Sequence, residues 1–210
     1  MSLAEKLAQG TLELGLQVSA DIQARLLDYV ALIAKWNRVH NLTAVRESAR
    51  MVSAHLLDCL AIVPHLRAGS VLDVGSGAGL PGIPLALIWP QAQVTLLDSN
   101  HKKTAFLRQV LIELELKNVD VICERVESWH PHEEFDLVIS RGVQSWHFER
   151  KGALQYEVAR QLRKFLVGIY PFHCSDPSVV PAEAASETHE FGQIRKSARD
   201  HEIKLLVRMP

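Results

Sequence analysis

Apolar positions recur with a helical period over the first third of the chain and then, near residue 70, give way to short apolar runs divided by turns. Over residues 21–36, Ile22, Leu26, Val30, Ile33 and Ala34 fall on one helix face, with Ser19 and Asp21 placed to cap its start. A second helix is predicted over residues 50–63, ending near Pro64. Residues 70–74 are a short apolar run entering Gly75, Gly77 and Gly79, the form of a buried parallel strand followed by a tight turn. A second strand over 94–98 leads to a helix whose Phe106, Leu107, Val110, Leu111 and Leu114 share a face, opposite Lys102, Lys103 and Glu113. Val119 and Val121 continue the alternation into Cys123 as a third strand, and 135–140 make a fourth. Strands alternating with helices predict an α/β fold with a parallel, doubly wound sheet. Residues 1–66, with two helices, form an N-terminal helical cap, and 67–210 form the sheet domain, together one compact unit. Residues 166–170 and 203–209 read as further strands, 152–165 as a helix and 171–187 as loop.

Composition narrows the class. A chain of 210 residues that is 48% hydrophobic and 22% charged suits one globular domain. Such a chain buries roughly 70% of its unfolded surface and needs no staple. Cys59, Cys123 and Cys174 form no CxxC pair and read as reduced core thiols. His130, His132, His173 and Cys174 fit no common zinc spacing, so no metal is expected. Neither a signal peptide nor a membrane span is visible, which makes the cytoplasm the expected location. A net charge of −1 does not provide the broad positive field of a general nucleic-acid binder. Any such contact must be local, at Arg46 and Arg50, at Lys102, Lys103 and Arg108, or at Arg195, Lys196 and Arg199; each alone also reads as a solvated helix face.

The stretch Asp73-Val74-Gly75-Ser76-Gly77-Ala78-Gly79-Leu80, between a strand and a coming helix, carries the candidate chemistry. Glycines there let the backbone turn sharply and let a ligand lie against bare amides. The dinucleotide pattern places its last glycine three residues beyond the second, whereas Gly75, Gly77 and Gly79 are evenly spaced and Pro81 and Pro84 follow. Asp98 closes the second strand at about the 20-residue offset where an acid accepts hydrogen bonds from a ribose. It could instead cap the next helix, and the two roles can coexist. Asp73 either holds the glycine loop through backbone amides or lies near an amino group of the ligand, with the loop as its first duty.

The run from Asp73 through Gly79-Leu80-Pro81-Gly82-Ile83-Pro84-Leu85 resembles the ribosomal RNA small subunit methyltransferase G family, also called glucose-inhibited division protein B. Trp36-Asn37, Asn41-Leu42-Thr43, and His55 with Asp58 resemble its N-terminal signatures. Leu96-Leu97-Asp98-Ser99, Arg125-Val126-Glu127, and Phe135-Asp136 through Ser140-Arg141 follow in order, so the match covers residues 20–141. The resemblance implies a Rossmann-like class I S-adenosylmethionine-dependent methyltransferase with a helical cap, acting as a monomer on N7 of one guanine in 16S rRNA or the small ribosomal subunit. Carried over, Gly75, Gly77, Gly79 and Leu80 would line the cofactor, Asp98 would take its ribose, Val126 and Glu127 would bracket its adenine, and Arg141 would close the site. Guanine N7 holds a free lone pair in the neutral base, so positioning is the chief device and no general base is expected.

Plainer roles stand beside these. Asn37 and Asn41, one turn apart, could simply end the first helix; His55 and Asp58 could form a helix-surface hydrogen bond; Arg141 could make an ordinary salt bridge. After Arg141 the family pattern stops: Gly142 through Arg150 do not align, through divergence or a shifted reading frame. Two other readings compete, a nicotinamide-dependent oxidoreductase and a methyltransferase fold that binds RNA without catalysis.

Overall fold

The computed structural model describes residues 1–131 and 135–141, together with the backbone of Ile203–Val207. The proposed helix over 152–165, the strand over 166–170, the loop over 171–187, and His132, His173 and Cys174 lie outside the described residues.

The cap holds one helix more than the sequence pattern suggested. Helix α1, Leu3–Glu13, opens on a capping box in which Ser2 Oγ accepts the Glu5 amide at 3.1 Å and Glu5 Oε2 accepts the Ser2 amide at 2.7 Å. The signal was in the sequence as Ser2-x-x-Glu5 ahead of Leu3 and Leu7. The helix ends where Leu16 N–H donates to Thr11 and Gly15 N–H to Leu12, a turn that puts Gly15 at φ +71°. Helix α2, Ala20–His40, is capped by Ser19, whose Oγ accepts the Ile22 amide. It buries Leu26, Tyr29, Val30, Ile33 and Asn37 on one face and stops at Asn41 in the left-handed region. The helix predicted over 50–63 begins earlier, as α3, Ser48–Met51, and widens into a π-helical stretch, Val52–Leu57. It returns to α geometry in α4, Asp58–Leu60, before a 3₁₀ turn at Val63–His65.

Five strands form one sheet in the order β3-β2-β1-β4-β5: β1, Ser70–Val74; β2, Gln93–Leu97; β3, Val119–Ile122; β4, Leu137–Arg141; β5, Ile203–Val207. The first four run parallel, as expected, whereas β5 lies antiparallel against β4 with Leu137 opposite Val207. An antiparallel edge on an otherwise parallel sheet is common in α/β folds. Helix α5, Gly82–Ile88, and helix α6, His101–Glu113, follow β1 and β2.

Alternation along the strands divides the core. Val71, Val94, Leu96, Leu137 and Ile139 join Tyr29, Ile33, Leu60, Ile83 and Phe106, so cap and sheet bury one continuous core. Leu72, Val74, Leu97 and Val138 face the other side, against Val126, Trp129 and Phe135. At the amino edge, Asp136 Oδ2 accepts the Gly69 and Ser70 amides at 2.9 and 2.8 Å while Ser70 Oγ accepts the Asp136 amide, which fixes the start of β1 against β4. Strand order reverses between β1 and β4, so the carboxyl ends of these strands flank the crevice where such sheets bind ligands.

Candidate functional site

The glycine loop leaves β1 at that crevice. Gly75 and Ser76 both donate to the Leu97 carbonyl, at 2.8 and 3.1 Å, tying the loop to the end of β2. Ser76 O then accepts the Gly79 and Leu80 amides, closing the turn. Gly75, Gly77 and Gly79 sit at φ +69°, +57° and +87°, a region that strongly favours glycine. They divide by surroundings. Gly75 and Gly77 keep solvent access, while Gly79 is packed so closely that a Cβ would lie 2.6 Å from Ile83 Cγ1 and 2.8 Å from Leu107 Cδ2. Leu80 is buried with it, and Tyr29 donates its hydroxyl to the Ala78 carbonyl from beneath. Of the four predicted loop residues, two therefore keep their backbone open to the crevice and two are packed behind it.

The two carboxylates divide the work differently from the expectation. Asp98, not Asp73, braces the glycine loop: its Oδ2 accepts the Gly77 amide at 2.9 Å and its Oδ1 the Asn100 amide at 2.8 Å. The cap of α6 is Asn100, whose Oδ1 accepts the Lys102 and Lys103 amides. Lys103 Nζ stands 3.9 Å from Asp98 Oδ2. Each carboxylate oxygen has a second lone pair, so Asp98 retains capacity for a further donor. Asp73 points toward the main core and accepts the Gly82 amide at 2.9 Å, holding the start of α5 instead. Its Oδ1 and the Ser76 Oγ are buried with no hydrogen-bond partner among the described residues.

Burial pushes the Asp73 carboxyl up to about 7; the Asp98 charge adds to this, and the Gly82 amide and Arg141 oppose it. The folded state thus holds a proton on Asp73 between the ordinary carboxyl value of 3.8 and about 7, where the unfolded chain has lost it. As pH falls through this window Asp73 adds stability, and above it the cost of ionisation is complete. Asp73→Asn keeps an acceptor for Gly82 but cannot titrate. In urea unfolding at pH 5 and pH 8, the variant should lose the part of the pH dependence that favours the lower pH. Identical pH dependence in variant and parent would overturn this assignment.

Val126 and Glu127 lie in the turn after β3. Val126 packs half-buried on the second core cluster; Glu127 is exposed, 3.6 Å from Arg125 Nε, an exposed ion pair of little energetic consequence. Cys59 is a buried core thiol, whereas Cys123 sits half-buried at the end of β3 with Sγ 3.2 Å from His101 Nδ1.

Arg141 ends β4 with its side chain largely covered. Its Nη2 lies 3.0 Å from Asp58 Oδ2 and donates to the Ala54 carbonyl at 2.7 Å, so the salt-bridge alternative is realised, between sheet and cap. The same Nη2 is 3.5 Å from His55 Nδ1. His55 is itself buried, and its Nε2 shares a hydrogen bond of 2.8 Å with Thr43 Oγ1. Asn37 does not end its helix but grips Thr43, accepting the Thr43 amide at Oδ1 and donating to its carbonyl, both at 2.9 Å; Asn41 is the helix terminator. His55 and Asp58 are thus members of a buried network, not a surface pair, because the π-helical turn carries His55 inward. The separated motifs at Asn37, Thr43, His55, Asp58 and Arg141 meet in one place.

Comparison with known proteins follows this geometry. The family model described as rRNA small subunit methyltransferase G matches residues 22–156. The Ribosomal RNA small subunit methyltransferase G of Laribacter hongkongensis is 55% identical over 141 residues, covering 67% of this chain and 68% of that protein. Its counterpart in Nitrosospira multiformis is 57% identical over 141 residues, covering 67% of this chain and 65% of that protein. The aligned span is thus about two thirds of each relative. Among solved structures, a coclaurine N-methyltransferase bound to N-methylheliamine and SAH shares 16% identity at a TM-score of 0.40, covering 66% of this chain and 56% of that one, a likeness too loose to add to the fold described above.

Proposed function

The chain belongs to the ribosomal RNA small subunit methyltransferase G family, and from that premise we propose that it moves a methyl group from S-adenosylmethionine to N7 of a guanine in 16S rRNA. The observation that carries this reading is the loop at the carboxyl end of β1, where Gly75 and Gly77 offer backbone at positive φ beside Asp98. The surroundings fit such a cofactor: a Cβ at Gly77 would meet only Gly75 O at 3.7 Å and Lys103 Nζ at 4.0 Å, so the space beside it is open. Family membership sets the nicotinamide reading aside.

When bound, S-adenosylmethionine supplies an electrophilic methyl carbon on a sulfonium sulfur. The chain's own residues bind and orient. Gly75 and Gly77 lay backbone against the cofactor, with Gly79 and Leu80 packed beneath them. Asp98 would accept from the ribose through its second lone pairs, Val126 and Glu127 would bracket the adenine, and Arg141 would hold the rim between β4 and the cap. No side chain need take a proton from guanine N7, so alignment is the main device. The protein works in this proposal as a cytoplasmic monomer, with residues 1–66 as cap on a methyltransferase domain over 67–210. No helix among the described residues is long and apolar enough to cross a membrane.

Incubation of the purified protein with methyl-labelled S-adenosylmethionine and 16S rRNA, followed by nucleoside mass analysis, should yield 7-methylguanosine. Label found on another atom, or none on the RNA, would overturn the reading. Asp98→Ala should weaken S-adenosylhomocysteine binding at least about tenfold in calorimetry, since it removes a charged acceptor worth on the order of 1.5 to 3 kcal/mol and frees the Gly77 amide. Asp120→Ala, an exposed site whose carboxylate accepts only from Gln93 among the described residues, is the control and should change neither affinity nor melting. Parent-like affinity in folded Asp98→Ala would remove Asp98 from the site.

A further inference from the structure

The sequence pattern puts Lys102 and Lys103 together on the polar face of α6, and the fold separates them. Lys102 is exposed, whereas the Lys103 side chain turns back over the glycine loop and stays 39% accessible. The turn from β2 into α6 fixes the backbone from which it returns. Asp98 Oδ1 accepts the Asn100 amide at 2.8 Å, and Asn100 Oδ1 accepts the Lys103 amide at 3.3 Å, so each polar group of the turn holds the next. Lys103 Nζ thereby stands 3.9 Å from Asp98 Oδ2 and 4.0 Å from where a Cβ on Gly77 would lie. Asp98 Oδ2 also accepts the Gly77 amide at 2.9 Å, so the ammonium, the carboxylate and the bare glycine border one opening. The Asp98 side chain is 8% accessible, and Lys103 is its ion-pair partner among the described residues.

We propose that Lys103 is a second ribose ligand for the cofactor, its ammonium donating to the same sugar hydroxyl that donates to Asp98. A separation of 3.9 Å is too long for a direct hydrogen bond and short enough for one oxygen to bridge both groups with bonds of about 2.8 Å. The bridging group has to donate on one side and accept on the other, because a carboxylate only accepts and an ammonium only donates. A hydroxyl meets both demands. A phosphate oxygen would be repelled by Asp98, and a cationic amine by Lys103. Asp98 alone would take a hydroxyl or an amine alike, so Lys103 is the residue that narrows the choice to a free sugar hydroxyl.

The inference rests on the proposed function, and the test separates the two. Lys103→Met keeps the length of the stem and removes the charge and the donors. Because the side chain is partly exposed, the variant should keep the parent melting temperature while binding S-adenosylhomocysteine about three- to tenfold more weakly in calorimetry. The 2′-deoxy and 3′-deoxy forms of S-adenosylhomocysteine then identify the bridged hydroxyl. The parent should lose at least about tenfold on one of them, and Lys103→Met should lose at least about threefold less on that same analogue, since half of the bridge is already gone. An equal penalty in both proteins overturns the clamp. Parent-like affinity of Lys103→Met for S-adenosylhomocysteine also overturns it, and a raised KM for 16S rRNA in that case would assign the ammonium to an RNA phosphate. A parent that binds S-adenosylhomocysteine but leaves 16S rRNA unmethylated overturns the proposed function alone, and the binding cycle still decides the clamp. A parent that does not bind S-adenosylhomocysteine overturns both.

Discussion

Arg141→Ala is expected to lower the free energy of unfolding by about 3 to 5 kcal/mol, the cost of removing one partner from a buried ion pair. The exposure is low enough for that range: the Arg141 side chain is 7% accessible and that of Asp58 12%. Truncation removes a charge-assisted contact of 3.0 Å to Asp58 and a hydrogen bond of 2.7 Å to the Ala54 carbonyl, and it leaves the Asp58 carboxylate in the interior without the guanidinium. The double variant Arg141→Ala, Asp58→Ala should be more stable than Arg141→Ala alone, because it takes both charges out of the interior. Urea unfolding of the four proteins gives the coupling. A loss below about 1 kcal/mol for Arg141→Ala would show that the pair behaves as a surface salt bridge and does not fasten sheet to cap.

This network also shows where sequence reasoning reaches and where it stops. Strands were legible because alternation and turn residues are local: the run at 70–74 is β1 as observed, Ser70–Val74, and the third and fourth strands shift by no more than two residues. The pairing of Asn37 with Thr43, of Thr43 with His55, and of Arg141 with Asp58 was not legible, since no periodicity links these positions. Their partners are fixed only when α2, the π-helical turn and β4 meet. The antiparallel β5 was hidden for the same reason: an apolar run announces a strand but not its direction. Helix α1 was legible in principle, because its capping box Ser2-x-x-Glu5 is a local signal.

The division of duties between Asp73 and Asp98 turns on side-chain direction. Both close strands at the same edge, and the sequence assigns loop holding to the nearer one. Asp73 lies in β1 between Leu72 and Val74, which face the second cluster, so alternation turns its carboxylate the other way, into the main core beneath α5. Asp98 stands one residue beyond the last residue of β2, close enough to the loop for the Gly77 amide to reach it.

The same contrast between facing the ligand and facing the core predicts opposite behaviour for two glycines of one loop. Gly79→Ala should destabilise the fold by about 2 to 5 kcal/mol. An L side chain at φ +87° costs about 1 to 2 kcal/mol, and crowding a packed core costs about 1 to 3 more. The crowding is specific: the new methyl group would lie 2.6 Å from Ile83 Cγ1, 2.8 Å from Leu107 Cδ2 and 3.3 Å from the Tyr29 hydroxyl, so α2, α5 and α6 would all have to give way. Gly77→Ala meets no such wall, with Gly75 O at 3.7 Å and Lys103 Nζ at 4.0 Å, and only the backbone strain at φ +57° remains. Its methyl group would instead occupy the open side of the loop, where the proposed cofactor would lie. Gly77→Ala should therefore unfold within about 2 kcal/mol of the parent yet bind S-adenosylhomocysteine at least about tenfold more weakly. Gly79→Ala, measured below its own melting temperature, should lose stability first and affinity only as the loop shifts. If urea unfolding and calorimetry rank the two variants the other way round, then Gly79 and not Gly77 is the residue that faces the cofactor.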